Sequence, residues 1–98
     1  MATSGQLAVA DNTEARRYEA RAGAEVVGFI DYRLAPGEIR LLHTEVDQEV
    51  EGEGVGSLLV ARALDDIRRR GLKVVPFCPF VAVFIKRHPE YSDLVTSR

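Results

Sequence analysis

The feature that most constrains this chain is a glycine-rich turn between an apolar run and an amphipathic pattern. The run covers residues 39–46. The turn covers residues 51–57, with glycine at every second position from Gly52 to Gly56. A strand that feeds such a turn, followed by a helix, points several backbone N–H groups and the positive end of the helix dipole at one place. That place suits an anion, most often a phosphate.

The pattern after the turn predicts an amphipathic helix and then a strand. At helical spacing, one stripe collects Gly56, Leu59, Val60, Ala63, Leu64 and Ile67. Arginines in the last turn complement the negative end of the dipole, and Gly71 stands where a left-handed cap is expected. The apolar run over residues 72–77 predicts a short buried strand. Strand, helix and strand form one βαβ unit with parallel strands.

The N-terminal half predicts strands joined by hairpins. Extended runs cover residues 7–10, 16–22 and 25–34. We expect a turn at residues 11–13, and Gly23 breaks the chain between the second and third runs. Pro36 and Gly37 predict a further turn, because proline presets the first central position and glycine accepts a positive φ at the second. The fold class predicted is α+β, a mixed sheet of antiparallel hairpins followed by the parallel βαβ unit.

Two local patterns place side chains near the turn. Strict alternation along the strand puts Ile39, Leu41 and His43 on one face, and Leu42, Thr44 and Val46 on the other. Further on, Pro79 suits the first position of a second helix, which makes Cys78 its N-cap. The apolar face of that helix is predicted to contain Phe80, Val81, Phe84 and Ile85. Pro89 is predicted to end this helix. Leu94 and Val95 are expected to pack against the rest of the domain.

Composition bounds the class of protein. The 98 residues make one domain, residues 1–98, with residues 1–5 expected to be disordered. The net charge of −2 gives no general attraction to nucleic acid. A single cysteine allows neither an internal disulfide nor a set of zinc ligands, so we expect a reducing compartment and no metal. The N-terminal apolar stretch is too brief for a signal peptide or membrane span. We expect a cytoplasmic monomer.

Four segments together resemble a small member of the GCN5-related N-acetyltransferase superfamily, of the N-acetyltransferase domain-containing protein 1 type. They are residues 42–46, 52–57, 75–80 and 87–91, within a similarity that covers residues 16–95. The resemblance implies an acyl-CoA N-acyltransferase-like sheet whose two parallel central strands splay apart. It implies acetyl-CoA in that cleft, with its pyrophosphate on the turn. The acceptor would be an amine: a small molecule, a lysine side chain or a protein N-terminus.

With this resemblance, coenzyme contacts are predicted from Thr44, Glu45, Val46, Gly52, Glu53, Gly54, Val55, Gly56, Ser57, Pro79, Lys86 and Arg87. A free backbone N–H of Glu45 or Val46 would bind the carbonyl oxygen. Acidic residues in the turn depart from the family pattern and repel a pyrophosphate by roughly 1 kcal/mol per pair at ~4 Å in water. We therefore expect Glu51 and Glu53 to point into solvent, with Lys86, Arg87 or Arg62 compensating. The alternative is that the glycines only shape a tight turn.

The predicted catalytic residues are His43, Cys78 and Tyr91. His43 is the group near the cleft whose ordinary pKa, roughly 6.5, suits a general base. Cys78 lies at a helix N-terminus, which favours a thiolate. The pair could act through an acetyl-cysteine, or Cys78 could contact the coenzyme thiol while His43 deprotonates the amine. Tyr91 is matched by position to a tyrosine that protonates the leaving thiolate.

Structural alternatives remain at each position. His43 could be a half-buried residue bonded to a carbonyl, Cys78 a small buried hydrophobe, and Tyr91 a surface packing residue. Five carboxylates between residues 45 and 53 form a solvated acidic loop or steer a cationic amine. The alternative function is a module that binds coenzyme A, an acyl-coenzyme A or a protein partner without turnover.

Overall fold

The computed structural model describes residues 7–96. Its strands and helices are β1 Leu7–Asn12, β2 Arg17–Ala22, β3 Glu25–Ala35, β4 Glu38–Val46, α1 Val55–Arg69, β5 Lys73–Pro76 and α2 Pro79–Arg87. Segments of 3-10 helix, Gln48–Val50 and Pro89–Leu94, follow β4 and α2. The prediction that residues 1–5 are disordered lies outside the described residues. Within residues 7–96, no helix is long and apolar enough to cross a membrane.

The strands form one five-stranded sheet in the order β1-β2-β3-β4-β5. Neighbours from β1 to β4 pair antiparallel, and β4 pairs with β5 in parallel. The predicted mixed sheet and its βαβ unit, β4-α1-β5, are therefore confirmed. The predicted hairpin is also confirmed, since Ala35 pairs with Glu38 and Gly37 has a φ of 73°.

β1 is longer than predicted. It continues through Asp11 and Asn12, which pair with Tyr18 and Arg17 where a turn was expected. The chain turns only after Asn12, whose side-chain Oδ1 accepts a hydrogen bond from Ala15 N–H at 3.1 Å. An asparagine that bonds ahead to the backbone in this way stabilises a turn following it, so the turn forms after residue 12 and not at residues 11–13.

A β-bulge in the β3–β4 pair changes which side chains of β4 share a face. Asp31 pairs with His43, and the next residue, Tyr32, pairs with Leu41, which leaves Leu42 as the extra residue. The extra residue reverses the alternation beyond it. His43 therefore lies on the opposite face from Leu41, and the prediction that they share a face is wrong.

Helix α1 covers one face of the sheet, named here the helix face. Its Leu59 lies close enough to Gly28 that a Cβ there would be 3.6 Å from Leu59 Cδ2. Cross-strand partners point to the same side of a sheet. Thr44 and Val46, opposite Ile30 and Gly28, therefore also point to the helix face.

The opposite side of the sheet, named here the open face, is rich in charged residues. By the same registers it carries Arg17, Glu19, Phe29, Asp31, His43 and Glu45. The side chains of His43 and Glu45 are more than half exposed. Glu19 is an exception, since it is only 3% exposed and is bonded by Asn12, Arg17 and Arg21.

Helix α1 has the predicted stripe and the predicted cap. Its buried residues are Val55, Leu59, Val60, Ala63, Leu64 and Ile67. After the helix, Gly71 has a φ of 72°, and its N–H bonds to Arg68 O at 3.1 Å. Leu72 N–H bonds to Ile67 O at 3.2 Å, which completes a Schellman motif. The glycine at residue 71 is thus required by backbone conformation.

Helix α2 begins at Pro79 with Cys78 as its N-cap, as predicted. Val81, Phe84 and Ile85 are buried, but Phe80 is 45% exposed and does not join the core as expected. Its ring lies over Gly56 at the start of α1, because the first turn of α2 faces the glycine-rich turn. The C-terminal segment packs down as expected: Leu94 is buried, and Val95 forms a bridge with Val74.

Candidate active site

A cavity of about 360 Å³ opens between the end of β4, the glycine-rich turn and the start of α2. It is lined by Thr44, Val46, Val50, Glu51, Gly52, Gly54, Val55, Gly56, Ser57 and Phe80. The structure thus brings together most of the coenzyme-binding residues predicted from β4 and the turn. The coenzyme contacts predicted from the sequence omitted Val50, Glu51 and Phe80. Val50 is the one aliphatic residue in the acidic stretch 47–53, a signal that could have identified it.

The turn presents backbone donors to this cavity. Gly52 and Gly54 have φ values of 88° and 79°, a conformation that favours glycine. The first helical bond of α1 is Leu58 N–H to Gly54 O at 3.0 Å, so the N–H groups of residues 55–57 precede the helical ladder. Gly54, as N-cap, offers no side-chain cap. Together with the helix dipole, these donors make the cavity suitable for an anion.

Strands β4 and β5 part beside the cavity. Their pairing runs from Glu38 with Lys73 to Leu41 with Pro76, and Cys78 N–H still bonds to Leu41 O at 3.0 Å. Strand β4 then continues to Val46, still paired with β3 but no longer with β5. The gap between the strands matches the splay that the resemblance implied.

The backbone N–H of Val46 points into this gap. Asp47 N–H bonds to Val27 O of β3 at 2.8 Å. Hydrogen bonds alternate sides along an antiparallel strand, so Glu45 N–H also points to β3 and Val46 N–H points away from it. Of the two residues considered for the carbonyl oxygen, the geometry favours Val46.

Cys78 lies behind the cavity wall on the helix face. It is 4% exposed, and its Sγ is 3.3 Å from Thr44 Oγ1. Thr44 lines the cavity and Cys78 does not. The thiol is therefore one side chain removed from the cavity.

His43 lies on the other side of the sheet. Its Nε2 is 2.8 Å from Glu45 Oε2, and its ring centroid is 6.4 Å from that of Phe29. The bulge at Leu42 sends His43 to the open face and Thr44 to the helix face, where Thr44 meets Cys78. The expected approach of His43 to Cys78 across the sheet is therefore wrong. His43 is also not the half-buried, carbonyl-bonded residue of the alternative.

Tyr91 does not face the cavity. Its hydroxyl donates to Asp65 Oδ1 of α1 at 2.8 Å, and its ring packs near Phe84 and Arg68. Burial and the Asp65 carboxylate raise the pKa of Tyr91 to about 12. This position favours the surface-packing alternative, and the role of Tyr91 as proton donor to a thiolate stays a prediction.

Of the predicted basic residues, Arg87 is the best placed near the cavity. It lines a smaller cavity of about 100 Å³ that shares Ser57 and Phe80 with the larger one. Lys86 and Pro79 line neither, and Arg62 lies at a separate cavity beside β1. Glu51 is exposed to solvent, as expected, and it also borders the main cavity.

The sequence matches a family model. The model describes the GCN5-related N-acetyl-transferase family, and the match covers residues 17–94. This chain belongs to the GCN5-related N-acetyltransferase family. The mixed sheet, the parting of β4 and β5 and the uncapped helix start are consistent with that membership. The chain is accordingly an N-acetyltransferase domain.

Solved structures share the fold. A GCN5-like protein from Staphylococcus aureus has a TM-score of 0.72 at 23% identity, covering 95% of this chain and 91% of its own. The ribosomal-protein-S18-alanine N-acetyltransferase of Escherichia coli has a TM-score of 0.57 at 19% identity, over 62% of this chain and 41% of its own. Ard1 of Thermoplasma volcanium has a TM-score of 0.55 at 28% identity, covering 67% of this chain and 45% of its own. This chain thus spans less than half of the last two proteins. No curated protein matches the sequence.

Proposed function

We propose that this chain is an acetyl-CoA-dependent N-acetyltransferase of the N-acetyltransferase domain-containing protein 1 type, which acetylates an amine. The observation that carries the proposal is the cavity in which the start of α1 meets the gap between β4 and β5. One end offers the N–H groups of residues 55–57 for a pyrophosphate. The other end offers Val46 N–H for a thioester oxygen.

The residues present fit a bound coenzyme. A Cβ on Gly56 would stand 2.9 Å from Phe80 Cζ, so this part of the wall has no space for a side chain on the turn. Glycine at residue 56 therefore lets the Phe80 ring pack closely against the turn. Arg87 lines the adjoining cavity, which shares Ser57 and Phe80 with the main one, and would supply positive charge to offset Glu51.

The placement of His43 and Cys78 favours direct transfer over an acetyl-cysteine. In a direct transfer, the amine attacks the thioester carbon, a C–N bond forms, and the C–S bond breaks. His43, on the open face, would take a proton from the amine. Cys78, on the helix face beside Thr44, would lie near the departing thiolate. A covalent route would need His43 to activate Cys78, and the two side chains point to opposite sides of β4.

Thermal denaturation with and without acetyl-CoA tests the proposal. At 100 times its dissociation constant a ligand adds about 2.7 kcal/mol to stability. For a domain of this size, that corresponds to a rise in Tm of roughly 10 to 20 °C. The Gly56→Glu variant is the control, because its side chain would fill the cradle; it should show no rise. An unchanged Tm for the unmodified chain would remove the coenzyme assignment.

Release of coenzyme thiol in the presence of an amine then separates an enzyme from a binding module. We expect release, and we expect His43→Gln and Cys78→Ala to slow it. Activity that survives both substitutions would exclude these residues as catalytic. A rise in Tm without thiol release with any amine would support the alternative, a module that binds coenzyme A without turnover.

A further inference from the structure

The open face lies directly across β4 from the coenzyme cavity. Successive residues of β4 point to opposite sides, so Thr44 and Val46 line the cavity while His43 and Glu45 stand on the open face. Beyond Leu41, β4 has no β5 residue paired with it. A molecule on the open face at His43 therefore reaches the gap from the side opposite the coenzyme.

Asp31 is an uncompensated carboxylate at this position. It is the cross-strand partner of His43 and is partly buried. Within residues 7–96 its side-chain carboxylate makes no hydrogen bond or ion pair. Its other neighbour across the sheet, Arg17, is engaged elsewhere: Nε donates to Glu19 at 2.7 Å, and the guanidinium stacks 4.4 Å from the Phe29 ring centroid.

His43 consequently stands between two carboxylates. Glu45 Oε2 is 2.8 Å from Nε2 on one side, and Asp31 lies across the strand pair on the other. Of the other charges on this face, Glu19 is paired with both Arg17 and Arg21, and Arg40 is paired with Glu38. Arg33, two residues along β3 from Asp31, is exposed. A protonated amine would therefore find two carboxylates, and the imidazole between them, at the edge of the gap.

We propose that this part of the open face receives the acceptor as a cationic, basic amine, such as a lysine side chain, and that Asp31 determines this preference. The inference rests on the proposed function. Asp31 and Glu45 bind the ammonium group. With Nε2–H donated to Glu45, His43 Nδ1 takes one proton from it. The free amine then attacks through the gap, the C–S bond breaks, and the leaving thiolate takes the second proton from nitrogen.

Steady-state kinetics with two acceptors test the inference. One is a lysine derivative blocked at its α-amino and carboxyl groups, which is cationic at pH 7, and the other is an arylamine, which is neutral. Asp31→Asn should raise KM for the lysine derivative about threefold to fivefold, the upper range for one partly exposed ion pair. Asp31→Asn combined with Glu45→Gln should raise it about tenfold or more. For the arylamine, KM should change less than twofold in Asp31→Asn.

Glu25→Gln is the matched control, since it removes one exposed carboxylate from the same strand, far from His43; it should leave both KM values unchanged. A retained rise in Tm with acetyl-CoA shows that each variant is folded. Equal changes for both amines, or none, would overturn the role of Asp31 while leaving the proposed function intact. Absence of turnover by the unmodified chain with any amine would overturn both.

Discussion

The contact between Gly56 and Phe80 gives the sharpest test of the cavity wall. A Cβ on Gly56 would stand 2.9 Å from Phe80 Cζ and 3.3 Å from Cε2, about 0.5 Å inside ordinary van der Waals contact. The neighbour on the other side, Val46 Cγ2, would be at an acceptable 3.6 Å. Gly56→Ala must therefore displace the phenylalanine ring and little else.

The expected energies nearly cancel in the unmodified background. Phe80 is 45% exposed, so moving its ring outward forfeits about half the burial of a phenylalanine, or about 1 kcal/mol. Replacing glycine by alanine inside a helix stabilises the fold by about 0.5 to 1 kcal/mol. The net change from Gly56→Ala should therefore be within about 0.5 kcal/mol of zero. In a Phe80→Ala background the ring is absent, so Gly56→Ala should stabilise the fold by the full difference in helix propensity between glycine and alanine, about 0.5 to 1 kcal/mol.

Urea denaturation of the four chains of this double-mutant cycle measures the difference, provided that the m-value stays constant. We expect a coupling free energy of about 1 kcal/mol. Gly52→Ala is the control. Gly52 has a φ of 88° and nothing within 4 Å of an added Cβ, so alanine there should destabilise equally with and without the Phe80 ring. An identical effect of Gly56→Ala in both backgrounds would refute the packing of Phe80 on the turn.

Two further predictions concern stability. Gly71→Ala should lower the free energy of unfolding, measured by urea denaturation, by about 1 kcal/mol, because Gly71 has a φ of 72° and no atom within 4 Å of an added Cβ. Gly71→Asn should lower it less, because asparagine tolerates this backbone region. Equal losses for the two variants would contradict a backbone origin. For Glu19, burial raises the pKa, but hydrogen bonds from Arg17, Asn12 and Arg21 outweigh it and hold the pKa below the ordinary value of 4.5. Its stabilisation is therefore complete above pH 4.5 and is lost as the pH falls through the lower folded value. Glu19→Gln should cost about 1 to 2 kcal/mol at pH 7 and progressively less toward pH 3, whereas a constant cost across that range would show that the ionised carboxylate is not responsible.

The parts of this fold that depend on local chemistry could be predicted from the sequence. The apolar stripe of α1, the left-handed Gly71 and the Pro36-Gly37 hairpin each follow from residues a few positions apart. The cavity was foreseen for the same reason, because the donors at its centre are main-chain groups at a helix start. The exposure of Phe80 was not foreseen, since its partner, Gly56, is distant in sequence and helical periodicity places Phe80 on the apolar side.

The side on which His43 points could not be predicted either, and the physical reason connects the core to the site. Without an extra residue, the face that buries Ile39 and Leu41 under α1 would also receive His43 and Glu45, so a charged carboxylate would be buried at the cost of its hydration. The bulge at Leu42 avoids that cost by shifting the alternation by one residue. The same shift places Thr44 on the helix face, beside the cavity, and the imidazole of His43 on the open face. Because the ladder between β3 and β4 continues on both sides of the bulge, the core and the division of the site depend on one backbone irregularity that residue-by-residue alternation does not reveal.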